Sequence, residues 1–168
     1  VYGINSCSSI INSTLCKINS ITISNIFEIN KIGDKNKLYS KYKNKINILS
    51  KEQYNHKYSQ FRTQGIVIDF IYPIYRDLPS KINKSSKSCY VILDSIKDPQ
   101  NLGQIIRTSE CAGVDGIIIS DRRSAKVTNT VLQVSQGAFC NINIIISKNI
   151  KYSINELKEN GYWVIGFE

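Results

Sequence analysis

The sequence predicts an α/β chain in which a small αβ domain precedes a parallel α/β sheet. Three observations carry that prediction. After Cys89, short runs rich in Ile and Val alternate with segments of helical periodicity, in the order βαβαβαβ. Those runs are apolar throughout rather than alternating, as strands covered on both faces are. Residues 77–88, beginning Asp77-Leu78-Pro79-Ser80 and continuing in Lys, Asn and Ser, lack apolar periodicity and read as a linker. The expected boundaries are therefore 1–76, a linker at 77–88 and 89–168.

In the first domain, Ile4, Ile10, Ile11, Thr14 and Leu15 mark a helical face. Residues 21–29 alternate, with Ile21, Ile23, Asn25, Phe27 and Ile29 on one side, which is a strand pattern. Residues 35–45 form a basic helix candidate with Leu38 and Tyr42 four residues apart, and a short strand follows at 46–49. Ser50 with Gln53 is a capping box that opens a further helix. A strand rich in Ile, Val and Phe runs from Gly65 to Tyr72. Before it, the loop Phe61-Arg62-Thr63-Gln64-Gly65 presents groups that can bond phosphates or base edges, with Phe61 free to stack. A plain glycine turn with Phe61 in the core fits that loop equally well.

The second domain is organised around residues 90–110. Tyr90 to Leu93 is an apolar strand stopped by Asp98-Pro99, and Asn101 stands where a helix N-cap is expected. Leu102, Ile105, Ile106 and Ser109 share one helical face, while Gly103, Arg107 and Glu110 share another. An amide and a guanidinium are thus expected at the carboxyl end of a parallel strand, beside a helix N-terminus suited to a phosphate. A surface arginine in an ordinary βα unit is the competing reading. Gly116 to Ile119 is the next strand, and Asp121-Arg122-Arg123-Ser124 follows on the same rim, where two arginines suit RNA phosphates and a solvated loop is the alternative. Val127, Val131, Leu132 and Val134 support a helix broken at Gln136-Gly137; residues 142–146 and 162–167 read as the third and fourth strands. Ser153 with Glu156 reads as a capping box for the helix between them, closed by Gly161.

Composition narrows the partners. The 168 residues carry a formal net charge of +9 and a pI near 9.3, which favours a polyanion and, first among polyanions, nucleic acid. The abundance of Asn, Lys and Ile resembles the bias of an AT-rich genome, so the basicity counts for less than its size. Five cysteines without a C-x-x-C pair are expected to be reduced and mostly buried, Cys111 included. A single histidine, His56, without clustered ligands argues against a metal site. No apolar run approaches a membrane span. Methionine is absent, initiator included, so the chain is expected to be a trimmed piece of an intracellular protein, with cytosol and organelle undecided.

The string Leu93-Asp94, Asp98-Pro99, Asn101-Leu102-Gly103, Ile106-Arg107-Thr108 and Ala112-Gly113 resembles the first motif of the SpoU family of RNA ribose methyltransferases, in the SPOUT superfamily. The resemblance extends more loosely to Tyr2-Gly3-Ile4, Gln64-Gly65-Ile66-Val67 and Ser135-Gln136-Gly137-Ala138. It implies a parallel α/β catalytic domain that ends in a trefoil knot, preceded by a substrate-binding domain like a ribosomal protein. It implies catalytic roles for Asn101 and Arg107, RNA contacts at Arg62, Gln64, Arg122 and Arg123, S-adenosyl-L-methionine as cofactor, rRNA as partner and a homodimer in the complete enzyme. The family's cofactor and knot motifs, Gly-x-Glu and Ser-Leu-Asn, are not in this sequence. The reading is therefore a fragment of such an enzyme, expected to be inactive alone. Its alternatives are a non-catalytic RNA-binding protein and a nucleotide-binding α/β enzyme. The last is disfavoured because no phosphate-binding glycine loop follows any strand.

Overall fold

In a computed structural model of the chain, the residues described are 1–27, 29–75, 78 and 88–167. Most of the expected linker lies outside the described residues. The chain forms two compact units, Val1–Pro73 with Gln136–Cys140, and Ile74–Ser135 with Asn141–Glu168.

The first unit contains helix α1 (Ile4–Asn12), strand β1 (Lys17–Ser24), helix α2 (Lys35–Tyr42), strand β2 (Ile46–Leu49), helix α3 (Lys51–Tyr58) and strand β3 (Ile66–Ile71). The strand order is β2-β1-β3, with β1 parallel to β2 and antiparallel to β3. The amino terminus extends the sheet, because Val1 and Ile68 exchange backbone hydrogen bonds of 3.0 and 2.8 Å. The capping box of α3 forms as its sequence specifies, with the Ser50 hydroxyl accepting from the Gln53 N–H. The alternation over 21–29 runs past the real strand. After Ser24 the chain turns, with the Phe27 N–H donating to the Ser24 carbonyl, and a short 3-10 helix occupies Ile29–Lys31. Helix α1 likewise ends at Asn12, short of Thr14 and Leu15.

Gln136–Cys140 group with this unit through Phe139. Its ring is fully buried, stacked 5.6 Å from Phe70 and edge-on 5.1 Å from Tyr72. Gly137, at φ 93°, lies so close to α1 that a Cβ there would stand 2.4 Å from the Ser9 hydroxyl. Only a residue without a side chain allows that approach. Cys140 follows, with its sulfur 3.7 Å from that of Cys16. The Cys140 partner lowers the Cys16 pKa to about 7, and the contact with Cys16 and burial raise that of Cys140. All five cysteines are free, but Cys89 and Cys111 are exposed, which corrects the expectation for Cys111. It is the last residue of its helix, past the apolar stripe.

The second unit contains β4 (Tyr90–Leu93), α4 (Pro99–Cys111), β5 (Gly116–Ser120), α5 (Asn129–Val134), β6 (Asn143–Ser147) and α6 (Ile150–Glu159). Its three strands are parallel in the order β4-β5-β6, in register from Tyr90↔Gly116 and Gly116↔Asn143. Tyr75 adds a parallel bridge to Ile145. Residues 116–119 are buried on both faces, as the unbroken apolar run requires. Ile118 and Ile145 meet Leu157 of α6 and Leu78 on one face. By the two-residue period of a strand, Ile117, Ile119 and Ile144 turn to the other.

Two expectations here are corrected. Helix α6 begins three residues before Ser153, because the Asn149 side chain accepts from the Lys151 and Tyr152 N–H groups. Ser153 instead lies inside the helix, 2.7 Å from the Ser147 hydroxyl. Residues 162–167 do not form a strand: Tyr162 packs on Tyr90, and Trp163 and Phe167 stand 95% and 93% exposed. A strand is made by a ladder partner, and among the described residues this apolar stretch has none.

Gly103 holds the two helices α4 and α5 together. A Cβ there would fall 2.6 Å from the Val134 Cβ and 3.0 Å from the Val131 carbonyl oxygen. Gly103→Ala gains about 1 kcal/mol of helix propensity but forces overpacking of about 1–3 kcal/mol, so a net loss of up to about 2 kcal/mol is expected by urea unfolding. Adding Val134→Ala is expected to make the pair less destabilised than the sum of the single changes.

Candidate functional site

The carboxyl ends of β4 and β5 carry two loops, and the site is built from them. The first runs from Asp94 to Asp98. Ser95 takes a left-handed conformation, φ 62°, which a residue with a side chain adopts at a cost of about 1 kcal/mol or more. Asp98 ends the loop as the N-cap of α4: its carboxylate accepts from the Gln100 N–H at 2.9 Å and its carbonyl from Leu102 at 3.0 Å. Pro99 follows at the first helical position, where a missing N–H is harmless. This corrects the expectation that Asn101 is the cap. A carboxylate before proline outcompetes an amide two residues inside the helix, since it both accepts the hydrogen bond and suits the positive end of the helix. The helix N-terminus is thereby already supplied with an anion.

The second loop follows β5. The Asp121 N–H donates to Ser147 at 2.9 Å, and Lys126 reaches back to the Asp121 carboxylate at 3.0 Å and its carbonyl at 2.7 Å. The Ala125 N–H donates to Ile96 at 2.7 Å, which joins the two loops. Between them lies an open cleft of about 510 Å³ bordered by Ser95, Lys97, Arg122, Arg123, Ser124 and Ala125. Among the described residues its border holds three cations and no carboxylate, and the nearby Asp121 is balanced by Lys126. Such a cleft attracts a phosphate-bearing ligand. Lys97 was not singled out from sequence; its place in the loop after β4, on the rim of Arg122 and Arg123, was the signal available.

Arg122 and Arg123 are thus brought together, but Asn101 and Arg107 are not among the residues bordering this cleft. Both are exposed on α4, and their side chains make no hydrogen bond or ion pair among the described residues. Six positions apart, they are separated by about 9 Å along the axis and about 120° around it. Glu110 on the same helix accepts from the Asn141 side chain at 2.9 Å instead of pairing with Arg107.

In the first unit, Arg62 is exposed, and Phe61 is 52% exposed with its ring 5.4 Å from that of Tyr2. Phe61 is therefore a surface ring, available for stacking, rather than a core residue. Gln64, at φ 57°, has its side-chain oxygen engaged at 2.9 Å by the Ile4 N–H, so it caps α1, whose N-cap Gly3 has no side chain. Only its amide nitrogen is left for a ligand. Among the described residues no group of His, Cys, Asp and Glu could hold a metal, and no helix is long and apolar enough to cross a membrane.

A parallel α/β unit following a small mixed-sheet unit is a fold this chain shares with solved methyltransferases. The AdoMet-bound rRNA methyltransferase of Sinorhizobium meliloti superposes with a TM-score of 0.72 at 19% identity, over 95% of this chain and 57% of that one. The SpoU methyltransferase AviRb of Streptomyces viridochromogenes, in complex with the cofactor AdoMet, does so at 0.71 and 14%, over 95% and 57%. Residues 88–168 match the model of the SpoU rRNA Methylase family. A protein of the TrmH family of tRNA/rRNA methyltransferases from Staphylococcus haemolyticus is 46% identical over 91 residues, 54% of this chain and 36% of its own length. One from Staphylococcus epidermidis is 39% identical over 105 residues, 62% and 42%. The chain spans well under half the length of these curated relatives.

Replacing each candidate cap tests the reading of α4. Asp98→Ala is expected to cost about 1 kcal/mol in urea unfolding, whereas Asn101→Ala stays within about 0.5 kcal/mol. The reverse ranking would return the cap to Asn101.

Proposed function

We propose that the whole protein is an S-adenosylmethionine-dependent RNA methyltransferase that methylates a ribose 2′-hydroxyl of rRNA and works as a homodimer. The observation that carries the reading is the family match over residues 88–168, which include the cationic cleft at the strand ends. A solved RNA 2′-O ribose methyltransferase shares the fold at a TM-score of 0.67 and 13% identity. In this reading Arg122, Arg123 and Lys97 hold phosphates, and Arg62 with the Gln64 amide supplies contacts from the first unit.

The cationic cleft does not fit the cofactor. S-adenosylmethionine carries a sulfonium cation, and the cleft at the rim is lined by three cations. None of the 168 positions is therefore assigned to it, and the residue roles concern RNA alone.

A ribose hydroxyl must lose its proton as it attacks, and negative charge develops on its oxygen. Arg107 cannot serve as the base, because a guanidinium stays protonated at any working pH. It can hold the adjacent phosphate and stabilise the developing alkoxide, with that phosphate as proton acceptor. Asn101, six residues earlier on α4, supplies an amide that can orient the ribose.

Transfer of labelled methyl groups to rRNA by the full-length protein, followed by alkaline hydrolysis, tests the reaction. A 2′-O-methyl blocks cleavage at its own linkage, so label in alkali-resistant dinucleotides is expected, and label in mononucleotides alone would overturn ribose specificity. Arg107→Ala is expected to lower turnover by about a hundred- to a thousand-fold with cofactor affinity unchanged, and Arg107→Lys to recover part of it. Unchanged turnover at saturating RNA would remove Arg107 from the mechanism. Neutral replacement of Arg62, Arg122 and Arg123 together is expected to make the slope of log K against log salt shallower by about 2.

A further inference from the structure

The first unit contains a cavity that the RNA contacts above leave unused. It opens at the carboxyl ends of the parallel strands β1 and β2, with a volume of about 330 Å³. Two rings border it, Phe27 and Tyr39, together with the aliphatic side chains of Ile23, Ile29 and Ile48. Among the described residues its polar lining is Ser24, Asn25 and Asn30, with no charged side chain. The volume lies at the lower end of the range for small-molecule sites, right for one flat heterocycle rather than a dinucleotide.

Ser24 is the observation that points to a ligand. Its backbone is fully engaged: the N–H donates to Gly65 at 3.0 Å, and the carbonyl accepts from Phe27 at 2.9 Å. Its hydroxyl, in a residue 4% exposed, finds no hydrogen-bond partner among the described residues. A buried hydroxyl left without a partner is destabilising, and such groups persist where something outside the chain completes them. The chemistry around it selects the guest. Two aromatic rings favour a flat π-face over a phosphate. Two amides and a hydroxyl offer both donors and acceptors, as the edge of a base requires. Lys37 and Lys41 are exposed on α2, the helix that contributes Tyr39, and suit the phosphates flanking a base held there.

We propose that this cavity receives a single unstacked nucleobase, with Phe27 and Tyr39 against its faces and Ser24, Asn25 and Asn30 reading its edge. The proposal deepens the RNA reading above and rests on it for the source of the base. It gives the first unit a means of choosing a nucleotide, which phosphate contacts alone cannot provide.

Two measurements on the full 168-residue chain test it. In the first, adenosine, guanosine, cytidine and uridine are titrated separately while backbone amide resonances are followed, with inorganic phosphate and ribose 5-phosphate as controls. At least one nucleoside is expected to shift Ser24, Asn25 and Asn30, and the two controls to leave them in place. In the second, a labelled single-stranded RNA is bound at several salt concentrations. Tyr39→Ala is expected to weaken binding roughly 5- to 150-fold, the factor for one base–aromatic stack, without changing the salt slope. Ser24→Ala is expected to weaken binding while Tm stays equal or rises, because it removes a buried group that lacks a partner. A purely structural serine would instead lose Tm and keep its affinity.

The outcomes separate this proposal from the function it rests on. If the chain binds RNA, Ser24→Ala and Tyr39→Ala bind it as tightly as the parent, and no nucleoside moves the three resonances, the cavity is not a base site and the RNA reading stands. If nucleosides shift those resonances but no RNA binds, the cavity assignment stands and the RNA reading falls. Equal shifts from inorganic phosphate would overturn the assignment in favour of an anion site.

Discussion

The close approach of α4 to α5 at Gly103 is the constraint on which the second unit depends. The two helices follow β4 and precede β6, and each must cover the sheet whose strands are buried on both faces. With a side chain at position 103, Val134 and the Val131 carbonyl could not lie where they do. The helices would separate, and the loops at their ends would separate with them. Those loops carry Lys97 on one side and Arg122 and Arg123 on the other. A glycine in the middle of a helix is costly on propensity alone, and here close packing is the reason it is kept.

The electrostatics of the rim follow from the same arrangement. Asp98 satisfies the first turn of α4, so the helix end does not add its own pull on an anion. Asp121 is neutralised by Lys126, and the remaining charge on the cleft belongs to Lys97, Arg122 and Arg123. Attraction for a phosphate therefore comes from side chains that are exposed and mobile about their own torsions. That favours adaptable backbone contacts, screened by salt, over a rigid anion pocket.

Periodicity made the alternation of strands and helices in residues 90–159 legible, because parallel strands buried on both faces leave unbroken runs such as Gly116 to Ile119. Interactions with distant partners stayed hidden. Residues 162–167 have the composition of a strand, yet strand formation depends on a neighbouring ladder that composition does not encode. Asn101 and Ser153 each have a capping side chain, but Asp98 and Asn149 reach the free N–H groups first. Gln64 looked like a ligand contact, and its oxygen is engaged by Ile4, sixty residues earlier in the chain. Phe139, which groups with the first unit, sits in the segment joining α5 to β6, and no local pattern announces that its ring meets Phe70. Helical position singled out Asn101 and Arg107 and the resemblance implied their catalytic roles; nothing in their side-chain contacts among the described residues marks them.

The two units differ in the chemistry they expose, and the difference matches the two tasks of recognising a nucleic acid. The rim of the second unit is cationic and open, suited to phosphates that are alike at every position along a strand. The cavity of the first unit is aromatic and, among the described residues, has no charged side chain and an unpartnered hydroxyl, a lining suited to bases, which differ from one another. Phosphate contacts supply affinity and register, whereas sequence is distinguished by contacts to base edges. A rim of arginines alone would bind any RNA in proportion to its charge. Discrimination requires a second surface that contacts base edges, and the base site proposed beside Ser24 would supply it.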